Sequence, residues 1–276
     1  MGIYKKDYFN LTQEEEKIFN EFKGISDNEP KGIVQMTNHH DSITKRFNIV
    51  RENPFVLNVS SIFPNHFLNE PDLAINNEEY ELKLNKFIDL LNNDDISERN
   101  ILKFIKENEA HFIIGSILQN YTDYGHHDRY IFQEFQLPPN YQADFLIIGK
   151  NSMGFYFLWI ELENPSGKIT LKNGDFGDSL RKGINQINDW SHWLEKSYGT
   201  LINVFNKHKR IGENLSEEFY SFDSSRMEYA VIAGRRSDFN DKSNRLRREH
   251  RRNGIKILHY DNLIDESKRL LKTCTY

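Results

Sequence analysis

Three carboxylates within about twenty residues are the strongest candidates for chemistry in this chain: Asp144 in YQADFLIIG, and Glu161 and Glu163 in FYFLWIELENP. Both segments are short and apolar or aromatic at successive positions, the pattern of strands covered on both faces. A charge at the end of such a strand is costly unless something compensates it. Side chains two apart on a strand share a face, so Glu161 and Glu163 point the same way, roughly 6.5 Å apart. At an effective dielectric near 20, each like-charge pair at that spacing costs about 2–3 kcal/mol. The simplest compensation is a bound divalent cation.

The elements that must position these acids follow in a definite order. Residues 12–23 predict a helix opened by a Thr12/Glu15 capping box. The run 43–60 predicts two strands broken at Asn53-Pro54. Tyr80, Leu84, Phe87, Ile88 and Leu91 recur at helical spacing and predict an amphipathic helix over 78–91. NNDDISE is a polar break, and Asp95 with Glu98 is a second capping-box signal. A domain boundary is placed near residue 97. Beyond it the pattern predicts a helix over 97–118 and strands near 130–136, 142–149 and 154–163. A polar glycine-containing loop then leads to a helix over 178–196. A strand at 227–234, a basic helix over 240–252, a strand at 255–260 and a final helix from 261 complete the chain. A helix, three strands, a helix and a strand describe an α/β core with a mixed sheet.

That order, with Asp on one strand and Glu-x-Glu on the next, resembles the PD-(D/E)XK nuclease fold, and most closely the Shedu-type C-terminal nuclease domain of bacterial anti-phage defence. The matching segments are IFQEFQLPPNYQADFLI with Glu134, IELENP, NGDFGDSLRKGINQINDW with Gln-x-x-x-Trp, AVIAGRR, and ILHYDNLI. They cover about 98–276. The resemblance implies a restriction-endonuclease-like mixed sheet flanked by helices and a metal-dependent DNA endonuclease. Asp144 and Glu161 would be metal ligands for Mg2+ or Mn2+, with Glu163 as general base or as ligand to a second metal. Glu134 would complete an outer or second metal shell, and Gln186 would orient water or a carboxylate beside the site. It also implies a homo-oligomer acting on phage or other foreign DNA. Residues 1–97 carry no part of the resemblance and are expected to form an accessory or sensing module of α+β character. One position departs from the commonest pattern: Glu163 stands where such nucleases usually carry lysine. Lys182, Gln186 and Trp190 fall on one helical stripe, so Lys182 is a candidate to take over the missing lysine's contact with the phosphate.

Residues 235–252 hold eight Lys/Arg against three Asp/Glu. Such an excess can follow a nucleic-acid backbone, and Arg235, Arg236, Arg245 and Arg248 are the expected contacts, unless the helix is simply a solvated face or a subunit contact. The runs His126-His127-Asp128 and His39-His40-Asp41 read as loops, because adjacent histidines rarely converge on one ion. No P-loop, dinucleotide fingerprint or serine-nucleophile elbow occurs.

The bulk numbers set outer bounds. At 276 residues, 38% hydrophobic and 28% charged, the chain has the composition of a globular protein, and its net charge of −5 gives no global nucleic-acid signature. The lone Cys274 excludes intrachain disulfides and cysteine-type zinc sites and fits a reducing compartment. The N-terminus MGIYKKDYFN has no signal-peptide core, and no apolar run approaches the ~18 residues of a membrane span. A cytoplasmic protein without membrane attachment is expected. The rival to a nuclease is a non-catalytic module that binds nucleic acid or a partner on a degenerate nuclease fold. An RNase is a third reading.

Overall fold

The computed structural model of the protein describes residues 2–27, 36–93, 95–121, 123–125 and 127–276, the side chains of 26–27 and 36–41 excepted. Its centre is a sheet of five strands in sequence order: β1 (Arg129–Leu137), β2 (Tyr141–Asn151), β3 (Gly154–Leu162), β4 (Met227–Ile232) and β5 (Ile255–Leu258). β1, β2 and β3 form an antiparallel meander, while β4 joins β3, and β5 joins β4, in parallel. The parallel joins require crossovers. Helix α8 (Asp178–Ser197) lies on the first and α10 (Asp241–Arg252) on the second.

Alternation along β3 sorts the core. Phe157 and Trp159 point to one face, with Leu180, Ile187 and Trp190 of α8 and Phe205 of α9 (Ile202–His208). Leu158, Ile160 and Leu162 point to the other, with Ile101 and Ile105 of α6 (Glu98–Glu107), Ile113 of α7 (His111–Gly115), and Leu263 and Leu270 of α11 (Tyr260–Thr273). That second core continues across residue 97. It takes in Leu84, Phe87 and Leu91 of α5 (Asn77–Leu91), together with Leu73 and Ile96.

The N-terminal part departs from expectation. Its described residues contain no strand. They form α1 (Gln13–Asp27), α2 (Met36–Glu52), α3 (Phe55–Ser60), α4 (Glu70–Ile75) and α5, so the described residues of this part are helical rather than α+β. The two strands expected over 43–60 are the end of α2 and all of α3. Pro54 falls between the two helices, where its missing N–H costs nothing. His39-His40-Asp41 lies inside α2 rather than in a loop; His126 lies outside the described residues. The helix expected over 97–118 is divided. α6 ends at Glu107, Glu109 takes a left-handed φ of 51°, and the chain restarts as α7 and a short 3-10 turn over Ser116–Asn120. The remaining strands and helices fall within a few residues of their expected places. Among the described residues no helix is long and apolar enough to cross a membrane.

Candidate active site

β2 and β3 separate after the pair Phe145–Ile160. The next residue, Asp144, fills the fork with its side chain: its Oδ2 accepts the Leu162 N–H at 2.8 Å. Glu161, the residue after Ile160, is 2% exposed and lies between Asp144 on one side and β4 on the other. Burial pushes both carboxyls well above the ordinary carboxylate range. For Glu161 the Asp144 charge adds most after burial, followed by Glu163 and Glu98. For Asp144 the donated Leu162 N–H opposes burial, while Glu98 and Glu163 reinforce it. The fork therefore holds two acids that cannot both be ionised cheaply without a positive partner.

Glu163 follows the end of β3 and is fixed through its backbone. Its N–H donates to Ile232 O at 2.8 Å, and its C=O accepts the Tyr260 hydroxyl at 2.8 Å. Its carboxylate, 2% exposed, turns to the first turns of α8. Ser179 Oγ donates to Oε2 at 3.1 Å, and Lys182 Nζ lies 3.3 Å from Oε1 as an ion pair without hydrogen-bond alignment. Negative charge is favoured at a helix N-terminus. Burial nevertheless raises the Glu163 pKa, with Lys182 the largest opposing influence. For Lys182, burial works against the charge, but Glu163, Glu98 and Glu161 together outweigh it and the lysine pKa is raised. Gly183 makes this approach possible. A Cβ there would lie 2.8 Å from Val231 Cγ1 and 3.0 Å from Glu163 Cγ.

The expected residues divide into two groups. Asp144, Glu161, Glu163 and Lys182 come together at the C-terminal end of β3, where open α/β sheets hold their ligands. Gln186 stands one turn beyond Lys182. Its Oε1 is buried without a hydrogen-bond partner, and with Asp178, Arg181, Lys182, Asn185 and Asp189 it lines a shallow depression along α8. Glu134 does not join them. The β1–β2 register skips it, passing from Gln133–Phe145 to Phe135–Ala143, and its φ of 55° breaks the alternation, so that Phe135 takes the α8 side. Its carboxylate pairs instead with Lys106 of α6 at 2.9 Å.

Two contributors escape the sequence pattern. Glu98 stands in the first turn of α6, where the capping pair is Ser97 with Asn100 rather than Asp95 with Glu98. Its N–H donates to Asn164 Oδ1 at 3.1 Å, which ties the helix to the segment after β3. Its charge raises the pKa of Asp144, Glu161 and Glu163. Tyr260 sits in the same acidic field, its hydroxyl held neutral first by burial and then by Asp144. Only the tyrosine has a sequence signal, in the segment ILHYDNLI.

The arginines are placed differently from expectation. Arg235 is a structural tie: Nε and a terminal nitrogen grip Asp261 at 2.8–3.2 Å, and the other terminal nitrogen donates to Leu91 O at 2.7 Å. Arg236 pairs with Asp265, and Arg245 with Glu249. Arg248 is exposed, with no ion pair among the described residues.

The family model for the C-terminal part of the Shedu protein SduA matches residues 95–264. The chain belongs to the Shedu family. Membership suggests a part in anti-phage defence and hints at a nuclease. No curated protein matches this Shedu-family chain. The matched stretch begins just before Glu98 and contains every acid of the cluster, so in this Shedu chain the site lies wholly within the family's region.

The donor set of the site is all oxygen, as suits a hard divalent cation. Among the described residues no three acidic, histidine or cysteine side chains form a ready metal cage. The fit therefore rests on the pair Asp144 and Glu161, with Glu163 already engaged by Lys182 and Ser179.

Proposed function

We propose that this Shedu-family protein is a metal-dependent nuclease of the PD-(D/E)XK type that hydrolyses phosphodiester bonds in DNA, acting against invading phage DNA. The observation that carries the reading is the fork between β2 and β3, where Asp144 and Glu161 lie in each other's field with raised pKa values and, among the described residues, no ion pair of their own. Asp144 and Glu161 would hold Mg2+ or Mn2+, which when bound supplies charge neutralisation at the phosphoryl oxygens and an activated water. Glu163, clamped at its N–H and C=O, is positioned to accept a proton from the attacking water. Its raised pKa makes it a stronger base than an ordinary carboxylate. Lys182 neutralises Glu163 and, 60% exposed, leaves its ammonium open to an incoming phosphate. It stands in for the lysine that Glu163 replaces. Gln186 offers an unpaired buried oxygen to orient water along the same stripe.

The test is incubation of purified protein with plasmid, linear duplex, single-stranded DNA and RNA, each with Mg2+ or Mn2+. DNA should be cut, and Asp144→Asn or Glu161→Gln should abolish cutting. Cleavage that survives both substitutions overturns the site. Binding without cleavage under either cation leaves a non-catalytic module, and cleavage confined to RNA changes the substrate.

A further inference from the structure

A second group of polar residues lies away from the acids, at the open edge of the sheet. Asn244, Arg247, Arg248 and Arg251 share one face of α10. With Lys256, Ile257 and Leu258 of β5, and with Asn120 and Asp241 at its ends, they line a cleft of about 470 Å³. Two of its cations are held in place. Arg247 Nε donates to Ile257 O at 3.0 Å, a terminal nitrogen donates to Asn244 Oδ1 at 3.0 Å, and the guanidinium lies 4.7 Å from the Phe239 ring centroid. Lys256 Nζ donates to Asn120 O at 2.8 Å and sits 3.1 Å from the Tyr121 ring centroid, with Glu228 at 4.0 Å. The other two, Arg248 and Arg251, are exposed, with no ion pair among the described residues. Asp241 is the only acid in the lining.

The charges oppose one another. The Lys256 pKa is lowered, first by burial and, against the pull of Glu228, also by Arg251. Gly254 and Leu258 turn their carbonyls toward β4, so ladder parity turns the Ile257 N–H and C=O outward, on the cleft side. Four cations and an outward backbone donor thus surround a space large enough for a nucleotide. Isolated surface charges can pair with water. A fixed cluster of like charges around a concavity calls for a polyanion.

We propose that this cleft is a phosphate-binding site, in which Arg247, Arg248, Arg251 and Lys256 grip the phosphate groups of a nucleotide. For its natural ligand, the DNA backbone, the proposal rests on the nuclease reading. Ile257 pairs with Val231, and Val231 with Glu161. Cleft and acids are therefore two strands apart, about 9.5 Å across the sheet, or about three steps along one strand of a duplex at ~3.4 Å each. A strand cut at the fork would be anchored here.

The test measures binding without cleavage. In the Glu161→Gln protein with no divalent cation, the anisotropy of a fluorescein-labelled single-stranded oligonucleotide is titrated at several salt concentrations, with inorganic phosphate and ATP as competitors. Arg248→Ala/Arg251→Ala should weaken binding by about tenfold or more and lower the salt slope by about 1.4, two phosphate contacts at ~0.7 each. Arg252→Ala, the same helix with one charge lost outside the cleft, should change it less than about twofold. ATP that binds directly and loses affinity in the double variant identifies free nucleotide as a source of the phosphates; oligonucleotide binding that neither ATP nor phosphate displaces identifies the DNA backbone. Oligonucleotide and ATP affinities that the double variant leaves unchanged, or an Arg252→Ala loss as large as the double variant's, overturn the proposal. A failure to cut DNA would sink the nuclease reading and leave these affinities as they are.

Discussion

Glu161→Gln should make the metal-free protein more stable, and at one end of the pH range only. Across neighbouring strands, side chains lie about 5 Å apart. At that distance and an effective dielectric near 20, two ionised carboxylates repel by about 3 kcal/mol. The protein avoids this at low pH by holding a proton, which is why both pKa values are raised. A carboxyl whose folded pKa lies above its unfolded one adds stability below the unfolded value and loses it as pH climbs through the folded value. In EDTA the wild-type melting temperature should therefore fall from about pH 5 toward pH 9. Removing one charge should flatten that fall. The gain at pH 9 should reach at most roughly 6–12 °C, since 1 kcal/mol corresponds to about 2–4 °C at this size. Added Mg2+ or Mn2+ should stabilise the wild type at pH 8 by about 2.7 kcal/mol at a hundredfold excess over the dissociation constant, raising its melting point, and should leave Glu161→Gln unmoved. Scanning calorimetry of both proteins over pH, with and without cation, measures all of this. A substitution that lowers the pH 9 melting point, or a variant that still gains stability from the cation, would refute the argument.

Gly183→Ala forces a methyl against Val231 and Glu163 and should cost about 1–3 kcal/mol, visible as a lower denaturation midpoint together with slower DNA cleavage. Lys182→Met leaves the buried Glu163 carboxylate without its counter-ion. Its pKa should rise further, so the acidic limb of the rate profile should move to higher pH while the rate falls by about 10²-fold; unchanged cleavage in a normally folded variant would remove Lys182 from the site. Arg235→Ala loses the grip on Asp261 and Leu91 O and should destabilise the fold by about 1.5–3 kcal/mol, while oligonucleotide affinity measured by anisotropy stays the same.

The C-terminal sheet was legible because β2 and β3 are apolar on both faces and flanked by Gly, Pro and Asn, so composition and period agree. The acids at their ends stood out for the same reason. Glu134 was misplaced because a left-handed φ at a non-glycine residue leaves no mark in composition. Glu98 was invisible as a site residue because only the tertiary contact from Asn164 brings the start of α6 to the fork. The run ITKRFNIVRENPFVLNVS misled because its β-branched and aromatic residues fit either period. Helical packing decided the matter, burying Val56 and Val59 while leaving Phe47 71% exposed. Arg235 looked like a substrate contact because a sequence shows its charge but not Asp261, twenty-six residues on.

The core shared across residue 97 has a practical corollary for dissecting the protein. A fragment starting at Glu98 would strip Leu84, Phe87, Leu91 and Ile96 from the wall they form with Ile101, Leu263 and Leu270, and would take away the carbonyl that receives Arg235. Such a truncation would present a greasy, unroofed flank to solvent and should precipitate or self-associate. The family's region, although it carries all the acids, needs the helices before it as its lid.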